Sequence, residues 1–316
     1  MKKDLKISVQ TGGWYDAMFN NGGKEDEAIA YIKNCGFDSL DFNIDQMLPG
    51  KEIRSGELTE FFSKSVDELL SFYQPLKKAC EKYDVTIDQM HAPFPLYVAD
   101  KDDVNDYLIM SIEKCCAVCE YLGCKALIAH PYTCPDKEKE KEINLSMYRR
   151  MIPVARKYGV IICLENMFTS ENGHIIEGSC STADETVWYI DKLNEEAGEE
   201  IFGYCLDVGH ATLLGRNIPN YIKTLGKRLT TLHIHDNDSK CDLHMVPYTQ
   251  SIGYTRQPTT NWDNFCNALK EINYQGTLNF ETFAALTVMP PELREPMLKF
   301  ISATGEYFRN KILENC

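Results

Sequence analysis

Two imidazoles and a carboxylate lie close together in one predicted β-strand and its end. His233 and His235 alternate with Leu232 and Ile234, and Asp236 follows directly. Successive side chains of a strand point to opposite faces, so the two histidines share one face. Imidazole and carboxylate groups bind several divalent metals. This stretch alone is equally compatible with two histidines that are satisfied by hydrogen bonds, and the rest of the chain must decide.

The same kinds of residue end several other predicted strands. Each is a histidine, aspartate or glutamate at the C-terminal end of its strand: His91, His130, Glu165, Asp207, His233 and Glu281. Histidines scattered through a core would not follow strand ends. The pattern therefore predicts a metal site built from many strands.

The predicted elements that carry these residues alternate between strand and helix. Strands are predicted over residues 7–11, 39–44, 86–90, 126–129, 160–164, 202–206 and 277–280, and one more within residues 229–236. Amphipathic helices, such as residues 104–122 and 137–158, separate them. Eight strand–helix units predict an α/β fold, a single (β/α)8 TIM barrel over residues 1–316. Enzymes with this fold have their active sites at the C-terminal ends of the strands.

Net charge and hydropathy limit the classes of partner that this protein can bind. The formal net charge is −14, whereas a protein that binds a nucleic-acid backbone needs a basic surface. No stretch is apolar and long enough to span a bilayer, and the first six residues run directly into a predicted strand. We therefore expect a cytoplasmic protein with neither a nucleic-acid nor a membrane partner.

Thirteen cysteines, an odd number, indicate reduced thiols rather than a disulfide framework. Four of them, Cys115, Cys116, Cys119 and Cys124, include one Cys-x-x-Cys pair. This group lies in a predicted helix and has no second pair at the spacing of a zinc site. We predict that these four cysteines are small buried hydrophobes.

The strand-end residues resemble those of the xylose-isomerase-like barrel superfamily, and the resemblance covers essentially the whole chain. This superfamily includes sugar isomerases, ketose 3-epimerases, inositol-catabolism enzymes and abasic-site endonucleases. The resemblance rests on short motifs that begin at His91, His130, Glu165, Asp207, His233, Asp242 and Glu281.

The resemblance implies a divalent-metal site. In the ketose epimerases of the superfamily, four residues from the last four strands hold one ion, and the matching residues are Glu165, Asp207, His233 and Glu281. His235 is a rival for the position of His233, although Asp236 fits the family's His-x-x-Asp pattern and favours His233. Manganese, zinc, cobalt and magnesium all suit this set of ligands.

The endonucleases of the superfamily use additional ligands, and this sequence matches all of them. The matching positions, which are possible additional metal ligands together with His235, are His91, His130, His210, Asp242 and His244. A multinuclear zinc site is therefore an open alternative. The net charge of −14 and the lack of a basic stripe argue against DNA as substrate.

The resemblance implies a metal-dependent isomerase or epimerase acting on a sugar or sugar phosphate. The ion would stabilise an enediolate, and Glu165 and Glu281 would form a general acid/base pair while also holding the metal. The candidate substrate-binding residues are His91, His210, Glu171 and Trp14. Glu171 is equally well explained as an ordinary loop residue, and Trp14 as a packed core aromatic.

One departure from the family and several alternatives stay open. The epimerases have an Arg shortly after the histidine of strand seven, where this chain has Ser239 and Lys240. A hydrolase or lyase on the same barrel, an abasic-site endonuclease or an inositol-derivative dehydratase, is the alternative enzyme. A metal-binding barrel without activity is the other. The exact carbohydrate, the metal and a possible homo-oligomer are left undetermined.

Overall fold

Eight parallel strands form a nearly closed barrel in the computed structural model, which describes residues 5–15 and 23–314. The barrel strands are β1 (Ile7–Gln10), β2 (Ser39–Asn43), β3 (Thr86–His91), β4 (Ala126–Ile128), β5 (Ile161–Glu165), β8 (Phe202–Asp207), β9 (Leu229–His233) and β10 (Leu278–Phe280). Between β5 and β8, the strands β6 (Phe168–Glu171) and β7 (His174–Glu177) form a separate antiparallel hairpin. The predicted TIM barrel is confirmed, whereas its extent as one domain over residues 1–316 stays a prediction.

The barrel closes where its last two strands meet. Beyond the end of β9, the Ile234 N–H donates to the Asn279 carbonyl at 2.8 Å, and the Glu281 N–H donates to the Ile234 carbonyl at 3.2 Å. These hydrogen bonds bring the C-terminal ends of β9 and β10 together. His233 and Glu281 therefore lie on neighbouring strands.

Helices connect the strands, as the sequence predicts. They are α1 (Glu25–Asn34), α2 (Gly50–Ser55), α3 (Val66–Tyr83), α4 (Asp102–Leu122), α5 (Lys137–Tyr158), α6 (Ala183–Ala197), α7 (Val208–Leu213), α8 (Ile218–Leu225), α9 (Trp262–Glu271), α10 (Phe283–Thr287) and α11 (Pro291–Leu313). Ser65 and Glu68 form the capping box that begins α3. Gly159 ends α5 with a φ of 61°, a left-handed conformation that favours glycine. None of the described helices is both long and apolar enough to cross a membrane.

Side chains of opposite character alternate along β2. Leu40 and Phe42 belong to the main hydrophobic cluster, while Ser39 and Asp41 are buried polar residues on the other face. Asp41 is hydrogen-bonded to Asn279 on β10, two strands away, so this polar face points into the barrel. The apolar faces of the strands thus pack against the helices, and the polar interior leads to the strand ends.

The β6–β7 hairpin and the short helices α2, α7 and α10 were not predicted from the sequence. The segment over residues 238–262 was predicted as a long loop. Within it Ser251 forms an isolated bridge with Pro258, and Met245 forms one with Asp236, which lies just before the segment. Helix α3 continues through Pro75, where a kink or a division into two pieces was predicted. Residues 1–4, part of the N-terminal stretch considered above, lie outside the described residues.

Candidate metal centre and active site

The four predicted metal ligands meet at one imidazole nitrogen. Measured from His233 Nδ1, Glu165 Oε2 lies at 3.2 Å, Glu281 Oε2 at 3.3 Å and Asp207 Oδ2 at 3.8 Å. All four side chains are buried. Three carboxylates therefore surround one imidazole, and they come from the ends of β5 and β8 and from the residue after β10, while the imidazole ends β9. We call these four residues the quartet.

Two more histidines flank the quartet on the side of β3 and β4. His130 Nε2 lies 3.2 Å from Glu165 Oε2, and His91 Nε2 lies 3.5 Å from Glu281 Oε1. The His91 ring stacks on the His233 ring with centroids 4.6 Å apart and planes 11° apart. His91, His130 and Glu165 have ligand atoms close enough together to hold a metal ion.

A second cluster of possible ligands adjoins the quartet at Asp207. His235 Nε2 lies 3.0 Å from Asp207 Oδ1, and the His235 ring stacks on the His244 ring at 4.1 Å. Asp242 Oδ2 lies 3.0 Å from His244 Nε2 and 3.3 Å from His210 Nε2. Within the described part of the chain, Asp207 is the only quartet member at ion-pair distance from His235. His233, not its rival His235, is therefore the imidazole that contacts all three carboxylates.

Opposite charges compensate each other in this buried region. Burial by itself raises the pKa of the Glu165 carboxyl, but His233 and His130 outweigh it and hold the pKa well below its usual range. The pKa of Glu281 is also low, because His233 and His244 outweigh burial. Burial alone lowers the pKa of His244, yet Glu281 and Asp242 raise it to about 9. The carboxylates are thus held in their ionised form, which is the form that binds metal.

Several ligand atoms in the cluster lack a hydrogen-bond partner among the described residues. Glu165 Oε2, His91 Nε2, His233 Nδ1 and Asp242 Oδ1 are buried atoms of this kind. Unpartnered buried polar atoms are rare in folded proteins and call for an explanation such as an ion. Nitrogen and carboxylate oxygen donors suit divalent metals, so this donor set fits a divalent metal ion.

The remaining predicted site residues lie at different distances from this cluster. Trp14 is fully buried, its Nε1–H donates to the Gln10 carbonyl at 2.8 Å, and its ring packs edge-on against Tyr15. This burial favours a packing role over the predicted stacking on a sugar. Glu171 is exposed on the β6–β7 hairpin, and among the described residues no hydrogen bond or ion pair joins it to the cluster. Lys240 is also exposed.

Sequence reasoning missed residues of two kinds. Asp41, on β2, is fully buried, and its Oδ1 lies 2.9 Å from His91 Nδ1. The alternation of polar residues along β2 is the signal that would have found it. The other kind is aromatic: Phe94 packs on His130 at 4.8 Å and Phe168 on His210 at 4.9 Å, and both line a cavity of about 300 Å³. Nothing in their spacing marks them.

The chain belongs to the xylose isomerase-like TIM barrel family, whose model matches residues 29–303. Two relatives are themselves uncharacterized. One, from Methanocaldococcus jannaschii, is 26% identical over 210 residues, which are 64% of this chain and 66% of the relative. The other, from Sinorhizobium fredii, is 25% identical over 151 residues, which are 45% of this chain and 42% of the relative. The chain thus spans less than two thirds of the length of either relative.

Solved structures similar to this one include sugar epimerases. A D-tagatose 3-epimerase-like protein is 20% identical with a TM-score of 0.65, covering 95% of this chain and 99% of its own. The 3-keto-D-glucoside 4-epimerase of E. coli is 15% identical with a TM-score of 0.67, covering 95% and 99%. The IOLI protein, solved with a zinc atom, is 18% identical with a TM-score of 0.65, covering 98% of each chain. At these identities the similarity shows the shared fold.

Proposed function

We propose that this protein is a divalent-metal-dependent isomerase or epimerase of a sugar or sugar phosphate. The observation that carries the proposal is the position of Glu165 and Glu281, whose Oε2 atoms lie 3.2 and 3.3 Å from the same His233 nitrogen. Two ionised carboxylates beside one centre suit the acceptance of a proton from a substrate carbon. The sugar epimerases among the structural neighbours support this reaction class.

The quartet would hold the metal. The chemistry that these residues would gain from a bound divalent ion is polarisation of a substrate carbonyl, which would lower the pKa of the neighbouring C–H group. Manganese, zinc, cobalt and magnesium are all compatible with three carboxylates and one imidazole. His91 and His130 on one side, and the second cluster on the other, offer donors for further ions.

Glu165 and Glu281 would move the proton. One carboxylate would accept the proton from the carbon next to the carbonyl and, as the carboxylic acid so formed, could return it to the adjacent carbon. Delivery to the opposite face would require the other carboxylate to take up a proton from solvent first, while the first releases its proton to solvent. Gln10 Nε2 donates to Glu281 Oε1 at 2.5 Å, which leaves Oε2 directed at the quartet. His210 is the candidate contact for a substrate hydroxyl; its Nδ1 is hydrogen-bonded to the Asn166 carbonyl at 2.8 Å, and its Nε2 lies 3.3 Å from Asp242 Oδ2.

The substrate would be a small carbohydrate that enters from the strand ends. The cavity of about 300 Å³ beside His130 and His210 is walled by Phe94 and Phe168, and aromatic rings pack well against the apolar faces of sugars. His91 and Glu171 stay predicted substrate contacts. A cytoplasmic location and a homo-oligomer also stay predictions.

A second candidate function is a hydrolase or lyase on the same barrel. The second cluster favours it, because His210, His235, Asp242 and His244 supply ligands that a single-ion epimerase does not need. The protein has a net charge of −14, and an abasic-site endonuclease with that charge would have to bind the polyanion DNA. An inositol-type dehydratase is therefore the better variant of this second candidate.

Exchange with deuterated water distinguishes these functions. The metal-loaded protein is incubated in it with ketoses, aldoses, sugar phosphates and inositol derivatives, and deuterium at the carbon next to the carbonyl is measured by mass spectrometry. A parallel incubation contains abasic-site duplex DNA at low salt, where electrostatic screening is weakest. Exchange without strand cleavage supports the isomerase or epimerase, while cleavage without exchange overturns it. Water loss from an inositol derivative identifies the lyase.

A further inference from the structure

We propose that Asp41 is a positioning residue that sets the orientation and tautomer of both His91 and His233. The proposal rests on the proposed function, because it assumes that these two imidazoles serve a metal centre. Neither the strand-end pattern nor any of the comparisons assigns a role to Asp41.

Asp41 contacts both imidazoles from behind. Its side chain is fully buried; Oδ1 lies 2.9 Å from His91 Nδ1, and Oδ2 lies 3.5 Å from His233 Nε2. The two rings stack with planes only 11° apart. The Asp41 carboxylate on β2 thus contacts two parallel rings, one from the neighbouring strand β3 and one from the distant strand β9.

The carboxylate of Asp41 is itself fixed by two amides. Gln89 Nε2 donates to Oδ2 at 3.0 Å, and Asn279 Nδ2 donates to the same oxygen at 2.9 Å. An ionised carboxylate has no proton to donate and only accepts hydrogen bonds. Asp41 can therefore act toward the histidines only as an acceptor of their N–H groups.

The ring nitrogens of His91 and His233 that do not face Asp41 are directed at the glutamates of the quartet. His91 Nε2 faces Glu281 Oε1 at 3.5 Å, and His233 Nδ1 faces Glu165 Oε2 at 3.2 Å. A neutral imidazole carries one N–H, and donating it to Asp41 leaves the lone pair on the nitrogen that faces the glutamates. Metal-binding histidines commonly donate their other N–H to a carboxylate in this way.

His130 is the third imidazole on that side of the site. Its Nε2 faces Glu165 Oε2 at 3.2 Å, yet its Nδ1 is buried and has no hydrogen-bond partner among the described residues. Asp41 thus hydrogen-bonds with His91 and lies at ion-pair distance from His233 Nε2, an atom that, like His130 Nδ1, has no hydrogen-bond partner among the described residues.

The test compares Asp41→Asn with Asp88→Asn. Asp88, on the neighbouring strand β3, accepts from Thr277 Oγ1 at 2.7 Å and pairs with Lys6 Nζ at 3.2 Å, so the control makes the same charge change without touching a histidine. Co²⁺ affinity and the Co²⁺ absorption spectrum are measured by competition titration. We expect Asp41→Asn to weaken affinity about 10- to 100-fold and to alter the spectrum. Asp88→Asn should match the wild type in both.

The outcomes separate this proposal from the proposed function. Wild-type protein that binds no divalent ion overturns both. Wild-type binding with an unchanged affinity and spectrum in Asp41→Asn overturns only the role of Asp41. If Asp41→Asn does not fold, long-range ¹H–¹⁵N spectra of the zinc-loaded wild type decide: protons on His91 Nδ1 and His233 Nε2 support the proposal, and protons on the opposite nitrogens overturn it.

Discussion

Two regions of this molecule concentrate residue types that bind metals, and they differ in every other respect. The thiol group consists of Cys115, Cys116, Cys119 and Cys124, all fully buried in or just after α4. The strand-end cluster consists of the quartet with the imidazoles and carboxylate around it. Both are dense and both are buried, so neither density nor burial distinguishes a candidate metal centre from a core.

The thiol group and the strand-end cluster differ in whether their ionisable groups carry charge. Burial raises the pKa of Cys119 well above its usual value, and nearby thiols raise it further, so the thiol stays neutral. Its sulfur lies 3.6 Å from the Met90 sulfur, within the hydrophobic core. In the strand-end cluster the imidazoles outweigh burial and keep Glu165 and Glu281 ionised. Buried charge persists only where opposite charge compensates it.

The largest expected effect comes from removing one carboxylate charge of the quartet. Glu165→Gln and Glu281→Gln should each lower turnover by about two to four orders of magnitude, the usual contribution of general acid/base catalysis. The measurement is kcat on whichever carbohydrate exchanges with solvent, with bound metal determined on the same samples.

Glu138→Gln is the matched control. Glu138 lies in the first turn of α5 with an exposed side chain that pairs with Lys141, and among the described residues no hydrogen bond or ion pair joins it to the strand-end cluster; the change removes the same charge. It should leave turnover unchanged. A glutamine variant of Glu165 or Glu281 with full metal and full turnover would exclude that glutamate from proton transfer.

A smaller effect separates the two neighbouring imidazoles of β9 and its end. His233 contacts the three carboxylates of the quartet, whereas His235 contacts Asp207 and, more distantly, Asp242. His233→Gln should weaken the tightest divalent ion by more than about 100-fold, and His235→Gln by less than about 10-fold. Competition titration with a metal indicator measures both. The reverse order would make His235 the imidazole of the quartet.

The sequence predicts the parts of this structure that obey a strong local rule. Strand–helix alternation predicts the barrel, and the barrel brings the C-terminal ends of its strands together, which is why Glu165 and Glu281 meet although 116 positions separate them. The capping box at Ser65 and the glycine after Tyr158 fix the ends of two helices by local chemistry alone.

Other features depend on contacts between distant segments. Asp41 lies within a strand rather than at its end, and its importance follows from the positions of His91 on β3 and His233 on β9. Phe94 lies in the loop after β3 and Phe168 begins the β6–β7 hairpin, and no periodic pattern specifies the path of either segment. The burial of Trp14 is likewise a tertiary property, since an aromatic after a strand end is compatible with either packing or sugar stacking.

The smallest expected effect comes from a change in the thiol group, which should not bind metal, in contrast to the strand-end cluster. Cys119→Ala removes one buried sulfur from the core, so the free energy of unfolding should fall by about 1 kcal/mol, as urea denaturation would measure. Metal content and Co²⁺ affinity should stay at the wild-type level, because a neutral thiol is a poor ligand. Alkylation of the native protein at pH 8 should modify the exposed Cys241 and leave Cys119 unmodified. Loss of an ion from Cys119→Ala, or a thiolate-to-cobalt absorption band that disappears with it, would show that the thiol group binds metal after all.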